Sequence, residues 1–168
     1  MMTLTIWRHG MAEDAVRDRQ RELTGSGRDD VGFGCRQFYH ACKSRKIVHP
    51  SRILYSPWVR TAQTAEIVAA AFTHADLAAA DVLQPGSDVA SVDLALAGII
   101  DTAGNDLHVV LVSHQPLVSQ LVDHYLGGCG LVPALPPGGL VTLSLDFPAA
   151  DGGTLLFWAF PPEFEVGV

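Results

Sequence analysis

The amino-acid sequence predicts a three-layer α/β/α sandwich with a mostly parallel central sheet. Apolar strand-like runs alternate along the chain with segments of helical periodicity, which is the pattern of α/β proteins. Residues 109–112 are four consecutive apolar residues between polar neighbours, as in a central parallel strand that is covered on both faces. Because the chain has 168 residues, with neither an internal repeat nor a long linker, we expect a single domain over residues 1–168.

Two strands and two helices alternate in the first part of the chain. A short apolar run at residues 3–7 predicts the first strand. Apolar residues then recur at i, i+4, i+7 and i+11 from residue 31 to residue 42, on one face of a helix. Residues 52–56 predict a second strand, which Pro57 ends, and the alanine-rich segment 61–72 predicts a second helix.

The remaining elements continue this alternation. A weak strand is predicted near residues 82–83, and a helix over residues 89–99. After the central strand, a helix over residues 116–125 begins at a proline, whose missing N–H is tolerated in the first turn. Residues 140–145 and 154–160 predict two final strands, paired around the turn-forming Asp-Gly-Gly between them.

Composition and charge exclude several classes of protein. Hydrophobic residues make up 48% of the chain and charged residues 17%, which favours a sizeable core over disorder. The net charge is −7, from 11 Lys and Arg against 18 Asp and Glu, so a general nucleic-acid-binding surface is not expected. No apolar stretch approaches the roughly 18 residues of a membrane span. The first residues show no signal peptide, so we expect a cytoplasmic location.

The cysteines and most of the histidines match no functional pattern. Cys35, Cys42 and Cys129 have neither CxxC nor Cys/His ligand spacing, so neither a disulfide framework nor a metal site is expected. Cys35 and Cys42 lie seven residues apart in a helical pattern and are expected to be buried thiols. Five histidines outside any motif are expected at the surface or the core edge: His40, His49, His74, His108 and His124.

Cationic side chains follow three of the predicted strands. Arg8-His9-Gly10 follows the first strand, Arg60 lies where the second strand gives way to its helix, and His114 follows the central strand. Parallel strands of an α/β sheet carry their ligands beyond their carboxyl ends. Guanidinium groups bind phosphate through paired hydrogen bonds, and helix N-termini also favour anions. The sequence therefore predicts a phosphoryl-binding pocket at this edge of an otherwise acidic protein.

Three motifs, in this order along the chain, resemble those of the histidine phosphatase superfamily. They are Arg8-His9-Gly10, the Ser-Pro-x-x-Arg-x-x-Gln-Thr segment at residues 56–64, and Ser-His-x-Pro at residues 113–116. The short chain and its Arg-x-Leu-Thr-x-x-Gly segment at residues 21–27 are similar to the SixA-like phosphohistidine phosphatases in particular. The resemblance covers nearly the whole chain and implies a phosphoglycerate mutase-like fold.

The resemblance also implies a role for each matched residue. His9 would be the nucleophile, which carries the phosphoryl group as a covalent intermediate that water then hydrolyses. Arg8, Arg60 and His114 would bind the phosphoryl oxygens, with His114 as the imidazolium, and Arg21 is a further substrate-binding candidate. This chemistry requires no metal and no other cofactor.

Three acidic residues are candidates for the general acid that protonates the leaving group. Larger members of the superfamily supply a Glu or Asp from outside the core motifs, commonly after the third strand. This chain has Gln84 there, which cannot donate as an acid. Asp18 best matches an Asp of the SixA-like group, and Glu13, Asp14 or no acid at all are the alternatives. An imidazole leaving group needs less protonation than an alkoxide, because it is the weaker base.

These expectations favour a phosphatase that hydrolyses phosphohistidine on a protein. Few residues separate the second helix from the third, so no large lid insertion is expected, and an open site admits a side chain of a partner. The expected partner is a phosphohistidine-containing protein, with no nucleic acid and no membrane. A general small-molecule phosphomonoesterase, a mutase and a non-catalytic phosphate-binding module are the alternatives. The sequence predicts no oligomeric state.

Overall fold

One seven-stranded sheet and four α-helices make up the part of the chain that the computed structural model describes, residues 1–103 and 106–167. The strands are β1 (Met2–Arg8), β2 (Arg52–Tyr55), β3 (Asp76–Ala79), β4 (His108–Ser113), β5 (Leu140–Leu145), β6 (Gly153–Ala159) and β7 (Val166–Gly167). The helices are α1 (Gly25–Arg45), α2 (Val59–Ala71), α3 (Val89–Thr102) and α4 (Leu117–Tyr125). Two short 3-10 helices lie at Asp18–Gln20 and Asp81–Leu83.

The sheet is mixed, with a parallel half and an antiparallel half. Its strand order is β3-β2-β4-β1-β5-β6-β7, in which the first four are parallel and the last three continue antiparallel. All six residues of β4 are buried, as the unbroken apolar run of this strand predicts. The predicted α/β class is confirmed, and the parallel half brings the carboxyl ends of β1, β2 and β4 to one edge.

Each face of the sheet has its own apolar core. Leu4 and Ile6 of β1 belong to the core beneath α3 and α4, whereas Trp7 belongs to the core beneath α1 and α2. Since successive side chains of a strand point to opposite faces, burial on both sides produces the predicted three layers. None of the helices in the two described ranges is long and apolar enough to cross a membrane.

The apolar face predicted for the first helix packs against the sheet. Val31, Cys35, Phe38 and Cys42 are all buried in α1. Burial raises the pKa of both thiols to about 12, so they stay protonated at neutral pH.

The third strand lies earlier than the sequence predicts. Residues 82–83 belong to the 3-10 helix Asp81–Leu83, and the strand is β3 instead. All four residues of β3 are exposed at the sheet edge, so this strand has no apolar alternation that a sequence pattern could reveal. The apolar residue Leu83 suggested a strand, but it is instead a core residue buried beside α3 and α4.

One histidine that was expected at the surface or the core edge lies inside the core. His108, the first residue of β4, is completely buried. Its Nδ1 lies 2.6 Å from the carbonyl oxygen of Val48, which can only accept, so Nδ1 carries the proton. The hydroxyl of Thr5 then donates to Nε2 over 2.9 Å. Burial lowers the pKa of His108 to about 4 and keeps the ring neutral.

Candidate active site

A cleft of about 260 Å³ opens at the sheet edge where β1, β2 and β4 end. All of the site residues that the sequence predicts line this cleft: Arg8, His9, Asp18, Arg21, Arg60 and His114. They come from positions far apart in the chain, and the parallel half of the sheet brings them together. Their separate roles follow from their contacts.

His9 presents the nitrogen Nε2 to its neighbour Arg60. Its Nδ1 lies 2.7 Å from the carbonyl oxygen of Gly10, so Nδ1 carries the proton and Nε2 keeps a lone pair. The Nε–H of Arg60 donates to this lone pair over 3.2 Å. Burial lowers the pKa of His9 to about 4, helped by the charges of Arg60 and Arg8 and opposed by the Gly10 hydrogen bond. The ring is therefore neutral at neutral pH, as a nucleophile requires.

Arg60 is held between His9 and Asp18. Its Nη1 donates to the backbone carbonyl oxygen of Asp18 over 2.8 Å, and its Nη2 contacts the Asp18 carboxylate at 3.4 Å. Arg60 is buried, whereas the Asp18 side chain is 58% exposed. Because an ion pair with an exposed partner contributes little free energy of folding, the main effect of this contact is to fix the guanidinium direction.

Asp18 is placed as a partner of arginines, and its charge state does not suit a general acid. Partial burial works to raise the pKa of Asp18, but the hydrogen bonds and charges of Arg21 and Arg60 outweigh it and hold the pKa below its ordinary value. Asp18 is therefore a carboxylate at neutral pH. The alternatives Glu13 and Asp14 are exposed and do not line the cleft, so Asp18 is the only carboxylic acid among its described lining residues.

Two buried nitrogen atoms in the cleft have no hydrogen-bond partner among the described residues. They are Nε of Arg8 and Nδ1 of His114. Nη1 of Arg8 donates to the carbonyl oxygen of Leu135 over 3.0 Å, and Nε2 of His114 lies 2.8 Å from the Ser56 hydroxyl. Buried polar atoms in proteins nearly always have partners. An oxyanion in the cleft would offer acceptors to both nitrogens.

The protein by itself holds His114 neutral, whereas the expected imidazolium refers to the site with a phosphoryl group bound. Burial, followed by electrostatic interaction with His9 and Arg60, lowers the pKa of His114 to about 3, with Arg8 acting in the same direction and Asp18 in the opposite one. A nearby dianion would raise this pKa, because an opposite charge favours the imidazolium. The expected charge on His114 therefore depends on an anion in the cleft.

Two residues of the second motif have roles that the sequence did not predict. Ser56 follows β2 and contacts His114 as described above. The hydroxyl of Thr64 donates to the carbonyl oxygen of Arg60 over 2.8 Å and accepts from the backbone N–H of Gly10 over 3.1 Å. Helix α2 thus holds the turn after β1. The four-residue spacing of Arg60 and Thr64 is the sequence feature that indicates this contact, since residues four apart on a helix share a face.

Close packing at the turn after β1 requires glycine at two positions. A Cβ atom on Gly10 would lie 2.9 Å from Cγ2 of Val31 and 3.0 Å from the backbone oxygen of Gly27. A Cβ atom on Gly27 would overlap the backbone oxygen of Met11. The side chain of Thr24 caps α1 by accepting from the Gly27 N–H over 2.8 Å. The Arg-x-Leu-Thr-x-x-Gly segment therefore packs the start of α1 against this turn.

The cleft combines a neutral imidazole, that of His9, with guanidinium groups and unpaired nitrogen atoms. Such a combination suits attack on an anionic phosphoryl group, whose oxygens the surrounding donors can bind. Within residues 1–103 and 106–167, no three or more His, Cys, Asp or Glu side chains are grouped so that they could hold a metal ion.

Solved structures similar to this chain include several phosphatases. No family model and no curated protein sequence matches the chain. The protein histidine phosphatase SixA, solved in complex with tungstate, is 28% identical with a TM-score of 0.75, over 95% of this chain and 97% of that chain. A SixA from Agrobacterium tumefaciens is 22% identical with a TM-score of 0.73, over 95% and 97%. A mycobacterial glucosyl-3-phosphoglycerate phosphatase is 17% identical with a TM-score of 0.66, over 91% and 96%.

The sequence identity of each solved structure decides how far it supports the predicted family. The two comparisons below 25% identity show the fold alone, whereas the SixA complex is more similar in sequence and covers nearly the whole of both chains. The SixA complex supports a phosphatase of the histidine phosphatase type. The structural neighbours of this chain are SixA phosphohistidine phosphatases and other phosphoglycerate mutase-like members of the histidine phosphatase superfamily, which confirms the resemblance that the motifs predicted.

Proposed function

We propose that this protein is a phosphatase that hydrolyses phosphohistidine on a partner protein through a phospho-His9 intermediate. The observation that carries the proposal is the state of His9, which is neutral, buried and protonated on Nδ1, with Nε2 turned towards the guanidinium of Arg60. A side chain in this state can attack phosphorus without first losing a proton.

In the first step, the lone pair of His9 Nε2 forms a bond to phosphorus, and the bond from phosphorus to the substrate imidazole breaks. The Nε–H of Arg60 turns from His9 to a phosphoryl oxygen, because the lone pair that accepted it is now used. The positive charge that develops on the His9 ring is stabilised by the hydrogen bond from Nδ1–H to the Gly10 carbonyl oxygen, 2.7 Å long before reaction. In the second step, water attacks phosphorus, phosphate leaves and His9 is regenerated.

The phosphoryl oxygens are bound by donors that have no other partner. Nε of Arg8 and Nδ1 of His114 are buried and unpaired among the described residues, and Arg60 lies beside them. In the loose transition state of phosphoryl transfer, negative charge is spread over the three equatorial oxygens, and fixed donors stabilise it. The similar SixA was solved in complex with tungstate, which is a tetrahedral oxyanion like phosphate.

The leaving group decides between phosphohistidine and phosphate esters. An alkoxide needs a proton from the enzyme, and the only carboxylic acid lining the described cleft, Asp18, is held as a carboxylate by Arg21 and Arg60. A substrate imidazole that carries a proton on its second nitrogen leaves as a neutral ring and needs no such acid. The charge state of Asp18 therefore favours phosphohistidine over phosphoserine or a sugar phosphate.

The surroundings of the cleft favour a substrate on a protein. Between the end of α2 and the start of α3, the chain forms only the short strand β3 and the 3-10 helix Asp81–Leu83, which leaves the cleft without a lid from this segment. Ala12, Pro85 and Pro137 line the cleft beside the charged residues. An open cleft can admit a phosphorylated side chain that projects from a protein surface.

The test compares phosphate release from three substrates of equal concentration: a phosphohistidine protein, a phosphoserine peptide and a sugar phosphate. The expected result is release chiefly from phosphohistidine, loss of release in His9→Ala, and a phosphoryl group on His9 after rapid quenching at alkaline pH. His74→Ala is the matched control, because His74 is an exposed histidine outside the cleft. Faster release from the esters would indicate a general phosphomonoesterase, and phosphate binding without release from any substrate would indicate a binding module.

A further inference from the structure

Trp58 contacts two residues of the cleft without lining the cleft itself. It directly precedes α2 and is half-buried. The Cζ atom of Arg60 lies 5.0 Å from the centre of the indole ring, within the range of a cation–π interaction. The ring of His114 contacts the same indole, with ring centroids 5.4 Å apart and an angle of 68° between the planes. Trp58 therefore contacts two candidate phosphoryl-binding residues, Arg60 in α2 and His114 directly after β4.

The orientation of the indole is fixed by a hydrogen bond to Gln84. Its Nε1–H donates to Oε1 of Gln84 over 3.2 Å, and Nε2 of the same amide donates to the carboxylate of Asp81 over 3.1 Å. The neighbouring Leu83 accepts a 2.6 Å hydrogen bond from the Ser113 hydroxyl, next to His114 in the chain. The 3-10 helix Asp81–Leu83 and the residue after it thus connect the indole to the end of β4.

Phosphate binding creates a repulsion between Arg60 and His114, and the contacts of Trp58 counteract it. Arg60 and His114 must both act as donors, and a charged His114 would face the positive charge of Arg60. An aromatic face attracts cations, most strongly where water is partly excluded. The indole contacts both groups, so it favours their approach and sets the direction in which each one faces the phosphoryl oxygens.

We propose that Trp58, oriented by Gln84, is a positioning residue that holds Arg60 and His114 in the geometry that binds the phosphoryl group. This inference rests on the proposed function, because it assumes that the cleft binds phosphate. It gives the amide of Gln84 a role that no motif of the sequence indicated. The amide orients an aromatic ring and takes no part in proton transfer.

The test measures binding of inorganic phosphate by calorimetry, together with kcat and KM for a phosphohistidine peptide. Trp58→Leu, which removes the aromatic face, is expected to weaken phosphate binding about tenfold and to lower kcat by a similar factor. Trp58→Phe keeps an aromatic face without the N–H, and is expected to recover most of the loss. Gln84→Leu leaves the ring in place but frees its orientation, and is expected to cause a loss of about threefold.

The control and the contrary outcomes separate this inference from the proposed function. Trp158→Leu removes a tryptophan of β6 that does not line the cleft, and should leave phosphate binding and kcat unchanged. If the wild type binds phosphate and both Trp58→Leu and Gln84→Leu bind it equally well, the positioning role is wrong and the proposed function stands. A wild type that neither binds phosphate nor releases it from any substrate would overturn both. Gln84→Leu still decides the matter should Trp58→Leu fail to fold.

Discussion

His108 and His114 stand at opposite ends of β4. His108 is the first residue of the strand, and His114 follows its last residue, Ser113. Both rings are buried, and burial lowers the pKa of the two residues to about 4 and about 3. Both nitrogens of His108 have partners within the fold, whereas Nδ1 of His114 has none among the described residues.

The comparison shows which property marks a functional histidine in this fold. Burial and a lowered pKa are shared by both residues, so neither distinguishes the site from the core. The difference lies in the unpaired nitrogen of His114 and in its neighbours, which include His9 and Arg60, whereas both ring nitrogens of His108 contact the neutral groups of Thr5 and Val48. Perturbed pKa values cluster at functional sites, but structural networks also produce them.

The largest expected effect is the loss of activity in His114→Asn. Removal of one buried donor to a transferring phosphoryl group costs roughly 10² to 10³ in kcat/KM. The thermal midpoint should stay within a few degrees of the wild type, because Ser56 is the only described residue that loses a side-chain hydrogen bond. Steady-state kinetics and a thermal melt of the same sample provide the two numbers. A variant that is destabilised yet fully active when folded would place His114 among the structural histidines.

His108→Leu should give the opposite pattern. The substitution removes the donor to the carbonyl oxygen of Val48 and breaks the buried contact with Thr5, so the free energy of unfolding should fall by about 2 kcal/mol. The folded variant should retain the kcat/KM of the wild type, since His108 lies at the other end of β4. Urea unfolding and kinetics below the thermal midpoint measure both quantities. A tenfold loss of kcat/KM in the folded variant would contradict the assignment.

Acid should destabilise the wild type partly through His108. Its pKa is about 4 in the folded chain and near the ordinary 6.5 when unfolded, so the unfolded state binds a proton first as pH falls. Stability is therefore full above pH 6.5 and is lost as pH falls towards 4. Between pH 7.5 and pH 5, this residue should account for about 2 kcal/mol of the loss. Urea unfolding of the wild type and His108→Leu at both pH values measures it, and equal losses in the two proteins would contradict the prediction.

The smallest effect is expected for Asp18→Asn. If Asp18 orients Arg60 as a carboxylate, the amide still offers an oxygen to Nη2 and leaves the backbone contact unchanged, so kcat should fall only about threefold. The basic limb of the pH–rate profile should not move. Loss of that limb, or a hundredfold fall in kcat restricted to ester substrates, would show that Asp18 donates a proton after all. Glu13→Gln is the control, because Glu13 is exposed and outside the cleft.

The motifs located the site well because each of them sits at a strand end. Long stretches of chain separate the residues of these motifs, which are Arg8 with His9, then Arg60, then His114. The alternation of strands and helices was nevertheless enough to predict that they share one edge of the sheet. The pattern failed at β3, whose four exposed residues carry no apolar signal. It also failed at His108, because a polar residue before an apolar run looks like a strand boundary whether it is buried or exposed.

The sequence by itself determined the fold class, most of the order of elements and the charged residues that line the cleft, since these follow from local periodicity and from residue types at strand ends. Tertiary structure decided the protonation and the hydrogen-bond partners of the cleft residues. The proton on Nδ1 of His9, the carboxylate of Asp18 and the unpaired nitrogen of His114 each depend on groups that come close only after folding. Electrostatic interactions and hydrogen bonds act over a few ångströms in space, and no local pattern of the chain specifies which distant residues will come that near.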